Sequence, residues 1–75
     1  MDVIEQEIVD YLRKAVGGNP RTSDSLAVIG IDSVGMAELT FELEKRFSIH
    51  VDDDVLDLET VADLANYVRQ RQKLA

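Results

Sequence analysis

The chain has 75 residues, a net charge of −7 and no cysteine. That length makes one small domain over residues 1–75, held by helix packing without disulfides or a cysteine-based metal site. At 45% hydrophobic residues it is too apolar for a disordered segment. No apolar run is long enough to span a membrane, and no basic start followed by an apolar stretch marks a signal peptide. A cytoplasmic location is expected. Residues 22–66 hold eleven acids against Lys45 and Arg46, whereas residues 67–75 carry only the bases Arg69, Arg71 and Lys73. An acidic middle repels nucleic acid and anionic lipid and attracts proteins with basic patches, although solubility alone gives the same charge.

Ile4, Ile8, Tyr11, Leu12 and Ala15 recur at the spacing of an amphipathic first helix. Glu5, Glu7 and Asp10 towards its start and Arg13 and Lys14 towards its end suit the helix dipole. Gly17-Gly18-Asn19-Pro20 ends it. Residues 17–31 read as a loop, with Leu26, Val28 and Ile29 as anchors onto the core and Gly30 as its last punctuation. Asp32 or Ser33 can cap a second helix, from about Ser33 to Phe47. Phe47-Ser48-Ile49-His50-Val51 leaves that helix as an extended connection. Asp52-Asp53-Asp54 can start a short third helix carrying Val55, Leu56 and Leu58 inward. Thr60 with Asp63 reads as a capping box for the last helix, whose apolar face is Val61, Leu64, Ala65 and Val68. The expected class is all-α: a bundle of three longer helices and one short third helix around one core.

The second helix has two apolar faces. At ~100° per residue, Met36, Leu39, Leu43 and Phe47 share an arc of about 80° and form the core face. Val34, Ala37 and Phe41 lie together on the other side, within roughly 60°, bordered by Glu38 and Glu44. Either the long loop covers this second stripe or another molecule docks on it. Gly35 leans towards docking: glycine costs ~1 kcal/mol in a helix interior relative to alanine, and close approach of a partner is a reason to keep it.

Ser33 stands at the head of that stripe with no base beside it. The single histidine, His50, lies beyond the helix, and neither a nucleophile elbow nor a pocket-sized scaffold supports a Ser33-His50-Asp triad. Asp52, Asp53, Asp54 and Asp57 lack the spaced ligands and central glycine of an EF-hand loop, and helix N-terminal preference explains them without an ion. There is no phosphate-binding glycine loop, zinc signature or basic aromatic surface.

Gly30-Ile31-Asp32-Ser33-Val34-Gly35-Met36-Ala37-Glu38-Leu39 resembles the modification motif of acyl carrier proteins. The resemblance runs on through Glu42-Leu43-Glu44-Lys45-Arg46-Phe47, Ile49-His50-Val51, the acidic turn and Thr60-Val61-Ala62-Asp63-Leu64, from about Leu26 to Val68. It implies a four-helix bundle of acyl-carrier type and a non-catalytic protein. Ser33 would carry a 4′-phosphopantetheine arm, added from coenzyme A by a phosphopantetheinyl transferase. The arm's thiol would supply what a chain without cysteine lacks. Asp32 would serve transferase recognition by helping to orient its metal and coenzyme A. Val34, Ala37, Glu38, Phe41 and Glu44 would form the partner-docking surface. Implied partners are that transferase, an acyl-loading ligase or transferase, and pathway enzymes with basic docking patches. The carrier itself would be a monomer.

Several positions depart from the pattern of fatty-acid carriers. Valine follows Ser33 where leucine or methionine is usual, Gly35 stands where an acid is frequent, and Glu42 and Lys45 alter the helix charges. Asp32-Ser33-Val34-Gly35 is similar to the motif of D-alanyl carriers and of some specialised rhizobial acyl carriers. Peptidyl carriers typically have Gly-Gly-His/Asp-Ser, which Ile29-Gly30-Ile31-Asp32 matches less well. The leading expectation is a discrete carrier of acyl intermediates in a fatty-acid, polyketide or other specialised pathway. An aminoacyl, D-alanyl or peptidyl carrier is the alternative of the same class. A helical interaction adaptor with unmodified Ser33 is the alternative of another.

Overall fold

Asp2 starts the first helix by closing a reciprocal cap, a signal hidden in the charge pattern of the N-terminus. Its Oδ1 accepts the Glu5 N–H at 2.8 Å, and Glu5 Oε1 accepts the Asp2 N–H at 3.2 Å. The computed structural model describes residues 2–74 and follows this cap with α1, Val3–Val16. Gly17, at φ +80°, ends α1 and donates its N–H to the Arg13 carbonyl at 2.9 Å. Beyond the loop lie α2 (Ser33–Phe47), a 3-10 helix (Asp53–Asp57) and α3 (Val61–Leu74). The expected all-α bundle of three longer helices and one short element is the observed one, with the short element in 3-10 rather than α geometry.

The long loop is fastened by backbone bonds to the start of α3. Leu26 N–H donates to the Glu59 carbonyl at 2.8 Å, Val61 N–H to Asp24 at 3.2 Å and Ala62 N–H to Thr22 at 2.8 Å. A single antiparallel bridge pairs Ser25 with Thr60. Thr60 and Asp63 form the expected capping box: Asp63 Oδ2 accepts the Thr60 N–H and Thr60 Oγ1 accepts the Asp63 N–H, both at 3.1 Å. Side chains that leave the loop are therefore aimed by the head of α3.

Ile8, Val9 and Leu12 of α1, Leu39 and Leu43 of α2, and Val61, Leu64, Ala65 and Val68 of α3 form the centre of the core. Leu26, Ile49, Val51 and Val55 close its end. Arg69 of α3 pairs with Asp2 and lies 3.8 Å from Glu5, which ties α3 to the cap of α1.

Three core expectations are corrected. Ala15 is exposed, because the packed part of α1 ends at Leu12, and Val9 is buried instead. Val28 is 83% exposed. It rides on the turn closed by Ile29 N–H to the Ser25 carbonyl at 3.1 Å, and Leu26 anchors the loop. Leu56 is 63% exposed. With three residues per 3-10 turn, Val55 and Leu58 share a face and Leu56 falls about a third of a turn away. The α2 core face is the expected one: Leu39 and Leu43 are buried, and Met36 and Phe47 at its two ends are half-buried and pack against the core.

Candidate carrier site at the head of the second helix

Asp32 settles the capping alternative at α2. It is extended (φ −93°, ψ −171°), its Oδ1 accepts the Gly35 N–H at 2.8 Å, and its carbonyl accepts the Met36 N–H at 2.8 Å. Ser33 is consequently the first helical residue, exposed, with no hydrogen bond from its hydroxyl among the described residues. Had Ser33 been the cap, its oxygen would have been spent on the helix.

An apolar groove of about 450 Å³ opens beside Ser33. Met36, Val51 and Val55 form its depth, while Ala37, Thr40 and the exposed Leu56 stand at its rim. Its far wall is the 3-10 helix, which α3 fastens in place. Arg71 donates to Asp52 at 2.7 Å and to Asp54 at 3.1 Å, and its guanidinium lies 4.8 Å from the centre of the Tyr67 ring. The Tyr67 hydroxyl donates to Asp54 at 2.7 Å and accepts the Asp52 N–H at 3.1 Å. The Arg71 hydrogen bond holds the Asp52 carboxyl below the usual carboxylate range. Burial, then Asp54, pushes the Tyr67 phenol up.

The second stripe of α2 is open. Val34 is 65% and Phe41 67% exposed, and Ala37 and Glu38 are exposed beside them. Glu44 sits differently. Its half-buried carboxylate accepts the Val51 N–H at 2.9 Å and lies 3.6 Å from His50 Nδ1, so it fastens the connection after α2. His50 also lies 2.9 Å from Asp52. Glu44 is eleven residues from Ser33, roughly 16 Å along the α2 axis at 1.5 Å per residue, and among the described residues no hydrogen bond joins His50 to Ser33. Asp52 and Asp54 are committed to Arg71, and among the described residues no three potential ligands converge on a metal position.

The family model described as "Phosphopantetheine attachment site" matches residues 3–68. The chain belongs to this phosphopantetheine attachment family. Acyl carrier proteins are among its relatives. One from Chlamydia trachomatis serovar D is 31% identical over 72 residues, covering 95% of this chain and 94% of the relative. One from Rickettsia bellii is 26% identical over 80 residues, covering 96% and 95%. One from Chlamydia muridarum is 29% identical over 72 residues.

Membership of the phosphopantetheine attachment family makes the chain a non-catalytic carrier, and its prosthetic group is 4′-phosphopantetheine, installed by a phosphopantetheinyl transferase. The exposed, uncommitted hydroxyl at the head of α2 fits such an attachment. No helix among the described residues is long and apolar enough to cross a membrane. The structure brings Asp32, Ser33, Val34, Ala37, Glu38 and Phe41 onto one exposed surface. It adds Leu56, whose exposure follows from 3-10 geometry that an apolar pattern over five residues does not reveal.

Proposed function

We propose that Ser33 is the attachment residue and that the chain carries acyl intermediates for a dedicated biosynthetic pathway. The observation supporting this is an exposed serine at the mouth of an apolar groove, whose hydroxyl makes no hydrogen bond among the described residues. When bound, the prosthetic group supplies a thiol that holds cargo as a thioester. Asp32 Oδ1 holds the helix start, which leaves Oδ2 for recognition by the transferase. The α2 dipole favours negative charge at Ser33, where a phosphodiester would sit. Val34, Ala37 and Phe41 offer apolar contact to partner enzymes, with Glu38 steering their basic patches. Glu44 contributes through the shape of the connection.

Acyl cargo is favoured over aminoacyl because Met36, Val51 and Val55 line the depth of the groove with apolar surface, while the carboxylates Asp52 and Asp53 stand at its exposed edge. Transfer saturated acyl groups of increasing length from their coenzyme A esters, with a β-alanyl group as comparison, and record thermal melts. The acyl forms should gain stability with each added methylene until the groove is full, to at most ~0.8 kcal/mol per methylene. The β-alanyl form should gain none, and Leu56→Asp should flatten the series. Melting temperatures indifferent to chain length contradict the acyl reading, and stabilisation only by β-alanyl favours the aminoacyl one.

A further inference from the structure

The exposed stripe of α2 carries charges of both signs, and the structure shows which of them are uncompensated. At ~100° per residue Val34, Glu38, Phe41 and Lys45 fall within about 60° of one another, and all four are exposed. The acids flanking the second half of the stripe are occupied. Glu42 accepts from Arg46 at 2.7 Å. Glu44 accepts the Val51 N–H at 2.9 Å and faces His50. Among the described residues neither Glu38 nor Lys45 has an ion pair or a side-chain hydrogen bond. Two unpaired charges therefore stand on the stripe, negative at Glu38 and positive at Lys45, with the 67% exposed Phe41 between them. They are two helical turns apart, about 10 Å along the axis.

The helix dipole favours a base in the last turn of α2. Arg46, whose guanidinium lies 5.8 Å from the centre of the Tyr11 ring, already supplies one. The dipole does not select the face on which Lys45 stands. A lysine next to an exposed aromatic repels a partner whose docking patch is basic throughout, and it attracts one that brings an acid to that spot.

We propose that the stripe selects a pathway enzyme whose docking surface sets a carboxylate against Lys45, about 10 Å from the basic group that meets Glu38. An apolar pocket for Phe41 lies between the two. Opposite charges at the two ends fix the direction in which the partner lies along α2. The inference rests on the carrier reading and adds a change of sign to its docking surface.

The probe is a malonyl transferase of fatty-acid synthesis whose docking patch is basic throughout. It is assayed on the phosphopantetheinylated carrier at low and at physiological salt, with the mass and thermal melt of each variant recorded first. Lys45→Glu should raise kcat/KM about threefold or more, through KM, and the gain should shrink as salt rises. Lys45→Gln, the second variant should Lys45→Glu unfold, should give a smaller gain of the same sign. Lys14→Glu makes the same change of net charge from α1 and should stay within about twofold of wild type. Reversing the probe's patch bases to glutamate one at a time should find one that raises kcat/KM on the wild-type carrier and lowers it on Lys45→Glu. Unchanged or lowered kcat/KM in the folded Lys45 variants, an equal gain from Lys14→Glu, or no reversal coupled to Lys45 overturns the inference and leaves the carrier reading standing. A wild-type Ser33 that accepts no phosphopantetheine overturns the carrier reading itself.

Discussion

Phe41→Ala should separate docking from packing on α2, because the two faces of this helix differ so widely in exposure. Burying a whole phenylalanine side chain stabilises by about 1.5–3 kcal/mol. Phe41 is 67% exposed, so only about a third of that, roughly 0.5–1 kcal/mol, is at stake. Leu43, two residues on, is 1% exposed, and Leu43→Ala should cost about 2–5 kcal/mol. Met36 is half-buried at the groove, so Met36→Ala falls between, at about 1–2 kcal/mol. A domain of this size has only about 5 kcal/mol of stability to lose. With a urea slope near 1 kcal/mol per molar, the Phe41→Ala midpoint should fall by less than about 1 M, while that of Leu43→Ala should fall by about 2 M or more. Urea melts followed by circular dichroism, beside a transferase assay on the same samples, give both readings. Phe41→Ala should lower transferase kcat/KM about tenfold while staying folded, the behaviour of an aromatic anchor at an interface. A Phe41→Ala protein as unstable as Leu43→Ala, or one modified at the wild-type rate, refutes the reasoning.

Ser48 ends α2 in the left-handed region at φ 53°, ψ 47°, where glycine avoids the Cβ penalty. Ser48→Gly should stabilise by about 0.5–1 kcal/mol and raise the melting temperature by a few degrees, and a fall instead would contradict that cap geometry. The Thr60 N–H, then its hydroxyl, holds the Asp63 carboxyl below its ordinary value, so its contribution is present above the unfolded value of about 4 and lost as pH falls through the lower folded one. The stability difference between wild type and Asp63→Ala should therefore be constant from pH 5 to 7 and close below about pH 4; a difference unchanged at pH 2 would contradict it. Glu38→Lys should leave the melt within about 0.5 kcal/mol of wild type yet slow modification, and the wild-type rate should fall as salt rises past a Debye length of about 8 Å. Rates indifferent to both changes would remove electrostatic steering from the account.

The helices of α1, α2 and α3 were legible because each carries strong local signals: the 3.6-residue apolar period, Gly17-Gly18 after α1, and Thr60 with Asp63 before α3. Asp32 and Ser33 were equally plausible caps from composition, and only the backbone assigns the role to Asp32 and leaves Ser33 free. Periodicity could not show how far along α1 the packing extends, so Ala15 read as core. Nor could it distinguish α from 3-10 geometry over Asp53–Asp57, so Leu56 read as buried when it stands beside Ser33. The Arg71–Asp52–Asp54–Tyr67 network that holds the groove wall joins residues from two elements, and no local pattern predicts such a pairing. Glu44 read as a surface charge bordering the stripe, and its bond to the Val51 N–H depends on where the chain goes after the left-handed turn at Ser48.

The most direct test of the central claim is to locate the prosthetic group by fragmentation mass spectrometry. After incubation with coenzyme A and a broad-specificity transferase, trypsin releases residues 22–45 as one peptide containing Ser23, Ser25 and Ser33. The carrier account predicts a single 4′-phosphopantetheine on Ser33 and none on Ser33→Ala. An adduct on Ser23, Ser25 or Ser48, or an unmodified Ser33 in a folded protein, would contradict it.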